Sequence, residues 1–180
     1  MKVFIDESGI HKAVDHSCFA FVYIEVSASE DISRQIEMIE HDLGIHIFHW
    51  AKRDWNTRTD FIKRIAKLDF KIKIAIIKNP IRFDSELENI LSRLVIEKHI
   101  NEIVIDGKKS KRYQKRLKKV LRDKGISVKK LRTGNDQGFP VLRIADAVAG
   151  VSRSFYDDPH GKSSHLYKLL EAKIIVVLKN

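Results

Sequence analysis

The first nine residues, "MKVFIDESG" (1–9), decide how the chain begins to fold, because an apolar run ends there in two adjacent acids. The run is typical of a short β-strand, and Gly9 allows the backbone to turn after it. Asp6 and Glu7 therefore stand at the end of a predicted strand. Two interpretations fit this stretch alone. It is either an ordinary solvent-facing strand end or an acidic site, since ligands often gather at strand ends of open α/β sheets.

Hydrophobic periodicity places the other elements along the chain. β-Branched and aromatic runs predict further strands at 17–26, 70–78, 102–107, 126–131 and 172–180, and helical spacing predicts helices at 29–44, 61–68, 85–95, 110–124 and 140–156. The early strands favour antiparallel pairing, whereas the later strands are separated by helices and favour parallel crossovers. We expect a mixed α/β sheet with flanking helices in a single domain, 1–180, with 29–69 as a helical insertion between early strands.

The composition bounds the environment of the protein. No apolar run approaches the 18 residues of a membrane-spanning helix, and the N-terminus lacks the arrangement of a signal peptide. Cys18 is the single cysteine, so no internal disulfide can form. We expect a cytoplasmic protein that does not enter a membrane, and the sequence leaves its oligomeric state open.

The net charge of +10 is concentrated in one segment. Residues 107–132 hold 13 Lys or Arg and a single acid, which gives +12, whereas the remaining residues sum to −2. A solvated Lys-rich helix face is one explanation, but this density favours a polyanion partner, either RNA or DNA. The candidate nucleic-acid-binding residues are Lys108, Lys109, Lys111, Arg112, Lys115, Lys118, Lys119 and Arg143.

Two more acids occupy positions comparable to that of Asp6. Asp106 ends a predicted strand, and if that strand is a parallel neighbour of the first, both carboxylates emerge at the same sheet edge. Asp146 lies on an apolar helix, on the face expected to pack on the sheet, where a charge requires a partner or a metal ion. A salt bridge to Arg143 or Arg153 is the alternative. Three converging carboxylates would suit Mg²⁺ or Mn²⁺, and two such ions support phosphodiester cleavage.

Three short motifs carry a resemblance to a known family. The segments "FIDESG" (4–9), "IVIDG" (103–107) and "LRIADAVAG" (142–150) are similar to the three signature segments of the DUF3800 family and occur in the same order. This resemblance implies a ribonuclease H-like fold with a nuclease- or integrase-type acidic site. Carried over position by position, it implies that the acidic set is Asp6, Glu7, Asp106 and Asp146.

The chain departs from the family pattern at two places. Arg143 stands where we expect Gln, and its guanidinium could neutralise the acid or bind phosphate. The segment "FHWAKRD" (48–54) retains His49 but has no nearby Glu, so it supplies no fourth acidic ligand. His46 and His49 lack the further ligands of a zinc site. His49 is therefore a candidate for protonating a leaving group or steering the scissile phosphate.

The sequence as a whole predicts a Mg²⁺- or Mn²⁺-dependent nuclease, or a related phosphoryl-transfer enzyme, that acts on nucleic acid. Asp6, Asp106 and Asp146 are the predicted metal ligands, and Glu7 and His49 complete the predicted catalytic set. The alternative is a nucleic-acid-binding protein in which the basic helix binds and the acidic site is not catalytic.

Overall fold

Six β-strands form one sheet in this computed structural model, which describes residues 1–9, 17–79 and 83–179, with the backbone alone at 83–87 and 92. The order of the strands across the sheet is β5-β4-β1-β2-β3-β6. The strands are β1 Lys2–Ser8, β2 Cys18–Val26, β3 Lys71–Lys78, β4 His99–Asp106, β5 Ser127–Gly134 and β6 Ile174–Lys179.

Strand direction changes across the sheet as the sequence predicts. β1, β2 and β3 pair antiparallel, which follows from their direct succession along the chain. β4 and β5 join on the other side of β1, and both pairings are parallel. β6 adds a parallel strand beyond β3. The expected mixed α/β sheet, with antiparallel early strands, parallel later strands and flanking helices, is confirmed.

The helices cover both faces of the sheet. One apolar core contains side chains of α1, α2, α5 and α6, and a second core on the opposite face contains side chains of α3 and α4. No helix in the described parts of the chain is long and apolar enough to cross a membrane. The helices are α1 Ser29–Asp42, α2 Trp55–Ile65, α3 Phe83–Leu94, α4 Lys111–Asp123, α5 Val141–Asp157 and α6 Ser164–Leu170.

Side-chain alternation along the strands decides which residues face α5. Phe4 and Val104 belong to the core on the α5 side, whereas Ile5 belongs to the core on the α3–α4 side. Because successive side chains of a strand point to opposite faces, Asp6 and Asp106 share the face of Phe4 and Val104. The helix that carries the third predicted acid therefore lies over the face to which the first two point.

The element ends differ from the sequence prediction in ways that pairing explains. β1 continues past Asp6, because Glu7 and Ser8 still pair with β2 after the pairing with β4 has stopped. β4 begins at His99 and β5 continues to Gly134, so the parallel ladder between them is longer than the apolar runs indicate. Helix α6 is absent from the elements predicted from the sequence, because its 7 residues are too few to present a helical period.

Candidate active site

Asp6 and Asp106 reach the same end of the sheet because β1 and β4 run parallel as neighbours. The last pair in their register is Ile5 with Ile105, and each aspartate is the next residue of its strand. The backbone turns directly after Asp106 at Gly107, whose φ of 78° lies in the left-handed region that favours glycine. The expectation that these two strand ends coincide is therefore met by the topology.

Asp146 is brought to the same end by α5, which packs across β1 and β2. Most of the helix is buried, so the carboxylate is held against the sheet. Its Oδ2 accepts a hydrogen bond of 2.7 Å from the backbone N–H of Trp50. Arg143 and Arg153, the partners that the sequence offers, bond to other acids. A backbone amide, and neither of these two guanidinium groups, therefore compensates the charge of Asp146.

Burial and repulsion raise the pKa of all three aspartates. The pKa of Asp6 lies well above its ordinary value because burial, and then the charges of Asp146 and Asp106, disfavour ionisation. Burial raises the pKa of Asp146 to about 6, against the opposing effects of the Trp50 amide and His49. Burial also raises the pKa of Asp106. The three carboxylates therefore form one electrostatically coupled group, whose ionised form a cation would stabilise.

The donors of this group and their positions determine how well a metal ion fits it. The donors are carboxylate oxygens, which are the ligands that Mg²⁺ and Mn²⁺ prefer. Among the described residues, no three His, Cys, Asp or Glu side chains stand close enough together to hold a metal ion as they are. The chemistry of the aspartates therefore fits such an ion, and their side chains would have to draw together to bind it.

Glu7 is placed on the opposite side of β1 from Asp6, because neighbouring strand residues point to opposite faces. Its Oε1 lies 3.3 Å from the ammonium Nζ of Lys109, in the segment between β4 and α4. Burial raises the pKa of Glu7, and the charge of Lys109 opposes that rise. The structure thus gives Glu7 a basic partner and does not group it with the three aspartates on the α5 side.

His49 lies beside the aspartates and is paired with an acid that the sequence analysis missed. Its Nε2 is 2.8 Å from Oδ2 of Asp136, and the His49 side chain is 37% exposed. The pKa shifts of both Asp106 and Asp146 contain contributions from His49 and Asp136, so the four groups are neighbours. Asp136 follows the end of β5, a parallel strand, and the rule that identified Asp106 could have found it.

Arg143 is buried and serves neither of the roles that the sequence analysis gave it. Its Nη1 bonds a carboxylate oxygen of Glu40, and both side chains are at most 5% exposed. The Arg143 Nε donates a 2.9 Å hydrogen bond to the backbone oxygen of Asp136, and Glu40 Oε1 accepts one of 2.8 Å from the N–H of Phe48. Arg143 therefore fixes two loops beside the site and is not part of an exposed basic surface.

The other predicted nucleic-acid-binding residues lie at the start of α4 and along it. Lys109 is half-buried and paired with Glu7, as described above. The buried face of α4 consists of Leu117 and Leu121, so the charged side chains point outward. The exposed cations of the predicted set are Lys108, Lys111, Arg112, Lys115, Lys118 and Lys119.

Known proteins resemble this chain in fold alone. No protein-family model and no curated protein matches it, so membership in the DUF3800 family stays a prediction. A chain in the complex of PCNA with RNase HII from Archaeoglobus fulgidus is similar, with a TM-score of 0.59 and 16% identity over 96% of this chain and 76% of that chain. Ribonuclease H2 from Pyrococcus horikoshii OT3 is similar with a TM-score of 0.58 and 11% identity over 86% and 72%. The chain therefore has a ribonuclease H-like fold.

Replacing Arg143 tests the buried ion pair. Arg143→Met would leave the Glu40 carboxylate without its cation, and we expect a loss of about 3–5 kcal/mol in the free energy of unfolding. In the double variant Glu40→Leu with Arg143→Met, no unpaired charge remains, so much of the stability should return. Urea denaturation of the three proteins measures both effects. Equal stability of Arg143→Met and the parent protein would contradict a structural role for the pair.

The raised pKa of Asp146 predicts a pH-dependent effect of Asp146→Asn. The folded state binds the proton of the Asp146 carboxyl more tightly than the unfolded state does. The contribution of this protonation to the stability of the fold is therefore complete below about pH 4 and is lost as pH rises towards 6. Asparagine carries no charge, and it can still accept the hydrogen bond from Trp50. We expect metal-free Asp146→Asn to be more stable than the parent above pH 6 by about 1–3 kcal/mol, and the difference to vanish near pH 4.

Thermal unfolding in EDTA between pH 4 and pH 8 measures this difference. The exposed Asp123 provides a control, because Asp123→Asn removes the same charge away from the site. A variant that is destabilised equally at both ends of the pH range would show that the effect does not depend on the ionisation of Asp146, and it would contradict a raised pKa for this group.

Proposed function

We propose that this protein is a Mg²⁺- or Mn²⁺-dependent nuclease, or a related phosphoryl-transfer enzyme, that acts on RNA or DNA. The observation that carries the proposal is the placement of Asp6, Asp106 and Asp146 at one end of the sheet, on two parallel strands and the helix that covers them. Three neighbouring acids whose pKa values are raised by burial and by nearby like charges are costly for folding, and such sites are usually functional. We take residues 1–180 as one ribonuclease H-like domain with 29–69 as its helical insertion.

In this proposal Asp6, Asp106 and Asp146 would hold the metal ions. When bound, the ions would supply the activation of a water and the stabilisation of the leaving oxygen of a phosphodiester. The chain's own residues prepare the site for them. The Trp50 amide holds Asp146 in place, and the turn at Gly107 ends the strand just after Asp106.

His49 is the residue that we assign to proton transfer. It is partly exposed and lies next to the aspartates, so its ring can reach a phosphate that the site holds. The imidazole would give its proton to the leaving oxygen or steer the scissile phosphate. We assign Asp136 as a positioning residue, because its Oδ2 lies 2.8 Å from Nε2 of the His49 ring. Glu7 keeps the Lys109 ammonium beside the strand ends, where phosphate would arrive.

The substrate class follows from the charge of the surface next to these acids. The exposed cations of α4 begin directly after β4, the strand that ends in Asp106. These cations attract phosphates, whereas aspartates without a bound cation would repel phosphates. The similar structures are ribonucleases by name, and this supports a nucleic-acid substrate for the present chain only as part of the proposal.

A second candidate function is nucleic-acid binding without catalysis. It is favoured by the finding that no three potential ligands among the described residues stand ready to hold a metal ion. In this case the α4 surface would bind the polyanion and the acidic site would be non-catalytic.

Metal-dependent cleavage separates the two candidates. Labelled RNA, single-stranded DNA and duplexes would be incubated with the protein in Mg²⁺, Mn²⁺ or EDTA. We expect cleavage in the presence of either metal and none in EDTA. Asp6→Asn and Asp106→Asn should each lower the rate at least about 100-fold, because each removes a ligand charge while conserving shape. Binding of nucleic acid without metal-dependent cleavage of any substrate would favour the second candidate and reject the first.

The role of His49 is tested with two substrates that differ in their leaving group. His49→Ala should lower kcat about 10²–10⁴-fold on an ordinary phosphodiester, since it removes the acid that protonates the leaving oxygen. It should have little effect when that oxygen is replaced by sulfur, because a thiolate leaves without a proton. Asp136→Asn should give a smaller loss with the same dependence on the leaving group.

His46 provides a matched control, because its side chain is exposed three residues away. His46→Ala should cleave both substrates at the parent rate. If His49→Ala were equally slow on both substrates, His49 would have a structural or binding role and the assignment of proton transfer would fail.

A further inference from the structure

A groove lined by cations lies between α4 and β5, the strand at one edge of the sheet. It consists of two adjoining hollows of about 470 Å³ and 350 Å³, and Lys115 and Lys118 line both. Three of its cations, Arg122, Lys129 and Lys130, belong to the basic segment 107–132 but not to the eight candidate nucleic-acid-binding residues named from the sequence. The basic surface therefore extends from the helix onto the edge strand and has the shape of a channel.

Most charges of the groove are not neutralised by the neighbours that the structure describes. Outside the groove, Arg116 lies 2.7 Å from Glu88, and on the edge strand Lys130 is 3.9 Å from Glu102. No ion pair is found among the described side chains for the remaining cations of the groove. These are Lys111, Lys115, Lys118, Lys119, Arg122 and Lys129. Six like charges along one channel repel one another, and a bound anion would relieve that repulsion.

One hydrogen bond joins the two walls of the groove. The Nζ of Lys118 on α4 donates to the backbone oxygen of Lys129 on β5 at 2.9 Å. An ammonium has three donors, so two remain for an anion. The bond also satisfies a carbonyl of the edge strand, and it keeps the cationic wall of α4 at a set position relative to β5.

The lining of the groove selects the backbone of a nucleic acid and not its bases. Between the cations the lining is aliphatic, with Ile126, Val128 and Leu131. None of the described lining residues is aromatic, so the groove has no platform on which a base would stack. Ammonium and guanidinium groups bind phosphate in any sequence context. The ligand class is therefore a sugar-phosphate chain bound without sequence preference.

The groove also has a defined length and direction. Lys111 begins α4 at the end nearer to Asp106, and Arg122 lies at the opposite end of the helix. With a rise of 1.5 Å per residue, the distance between them along the helix is about 17 Å. At roughly 3.4 Å per nucleotide of a helical strand, that distance corresponds to about five nucleotides.

We propose that the α4–β5 groove holds the backbone of one strand over about five nucleotides on one side of the bond to be cut. The statement that a bond is cut beside the groove rests on the proposed function. Binding of the strand in the groove does not depend on it. Lysines on an edge strand also prevent unwanted pairing of sheets, and this is the alternative that the experiment must distinguish.

The experiment compares two double charge-reversal variants, both made in Asp6→Asn so that the nucleic acid is not cleaved during the binding measurement. Lys119→Glu with Lys129→Glu changes the groove, and Lys67→Glu with Lys168→Glu makes the same charge change at exposed positions on the other side of the sheet. Fluorescence anisotropy with labelled single strands and duplexes would be followed from 50 to 300 mM salt. We expect the groove variant to lose at least about tenfold in affinity for all sequences and about two units of log–log salt slope. The control should lose less than about threefold.

A cleavage assay with shortened substrates tests the length of the path. Wild-type protein should lose activity when fewer than about five nucleotides remain on one side of the cut, and should tolerate shortening of the other side. Equal sensitivity to shortening of both sides would overturn the proposed path.

The outcomes separate this inference from the proposed function. Cleavage by the wild type, with unchanged binding by the groove variant, overturns the groove and leaves the nuclease in place. Weakened binding by the groove variant, with no cleavage by the wild type, supports the groove and rejects the nuclease. An equal loss of affinity in the groove variant and the control shows that nucleic acid is attracted by the overall positive charge and does not follow a defined path. Unchanged binding together with self-association of the groove variant shows that the lysines protect the edge strand. The last two results overturn the proposal.

Discussion

The buried ion pair between Glu40 and Arg143 is the interaction on which the candidate site depends. Glu40 comes from α1 and Arg143 from α5, and the pair is enclosed between these helices and the loops beside them. Through Phe48 it fixes the loop that carries His49, and through the Asp136 carbonyl it fixes the loop after β5. Two buried charges are stable only when both are hydrogen bonded, so this pair tolerates little displacement of either loop. The geometry of the His49–Asp136 contact is therefore set through the backbone of the two loops, to which the Glu40–Arg143 pair is hydrogen bonded.

The three aspartates impose the opposite kind of constraint, because their charges destabilise the fold that holds them. Burial disfavours the ionised form of each carboxylate, and the charges of Asp146 and Asp106 add to this for Asp6. Asp146 is compensated by a backbone hydrogen bond from Trp50 and by the nearby imidazole of His49. A site that is optimised for folding would replace such acids or pair them with cations. The metal ions of the proposed function would relieve this cost, because they would stabilise the ionised carboxylates.

Local patterns in the sequence predict the strands, most helices and the three aspartates, because each depends on neighbouring residues. Alternation and the turn after Asp106 are examples, and the parallel crossover then places Asp106 beside Asp6. The pairs that organise the loops are non-local, since Glu40 and Arg143 are 103 residues apart. An arginine beside a buried aspartate has a plausible local partner, and nothing in the local pattern indicates that a distant glutamate competes for it. The His49–Asp136 contact escapes prediction for the same reason.

The arrangement of charge around the sheet gives the site a direction of approach. The aspartates face α5, whereas the cations of α4 and β5 lie towards the other face and the sheet edge. The two regions meet where β4 ends, and there the Lys109–Glu7 pair lies on the α4 side of the strand that carries Asp6. Under the proposed function, a polyanion would be attracted along the cations first and would encounter the acids last, because the aspartates repel its phosphates unless a cation is present. Binding and catalysis would then occupy different faces of one sheet, and the strand ends of β1 and β4 would join them.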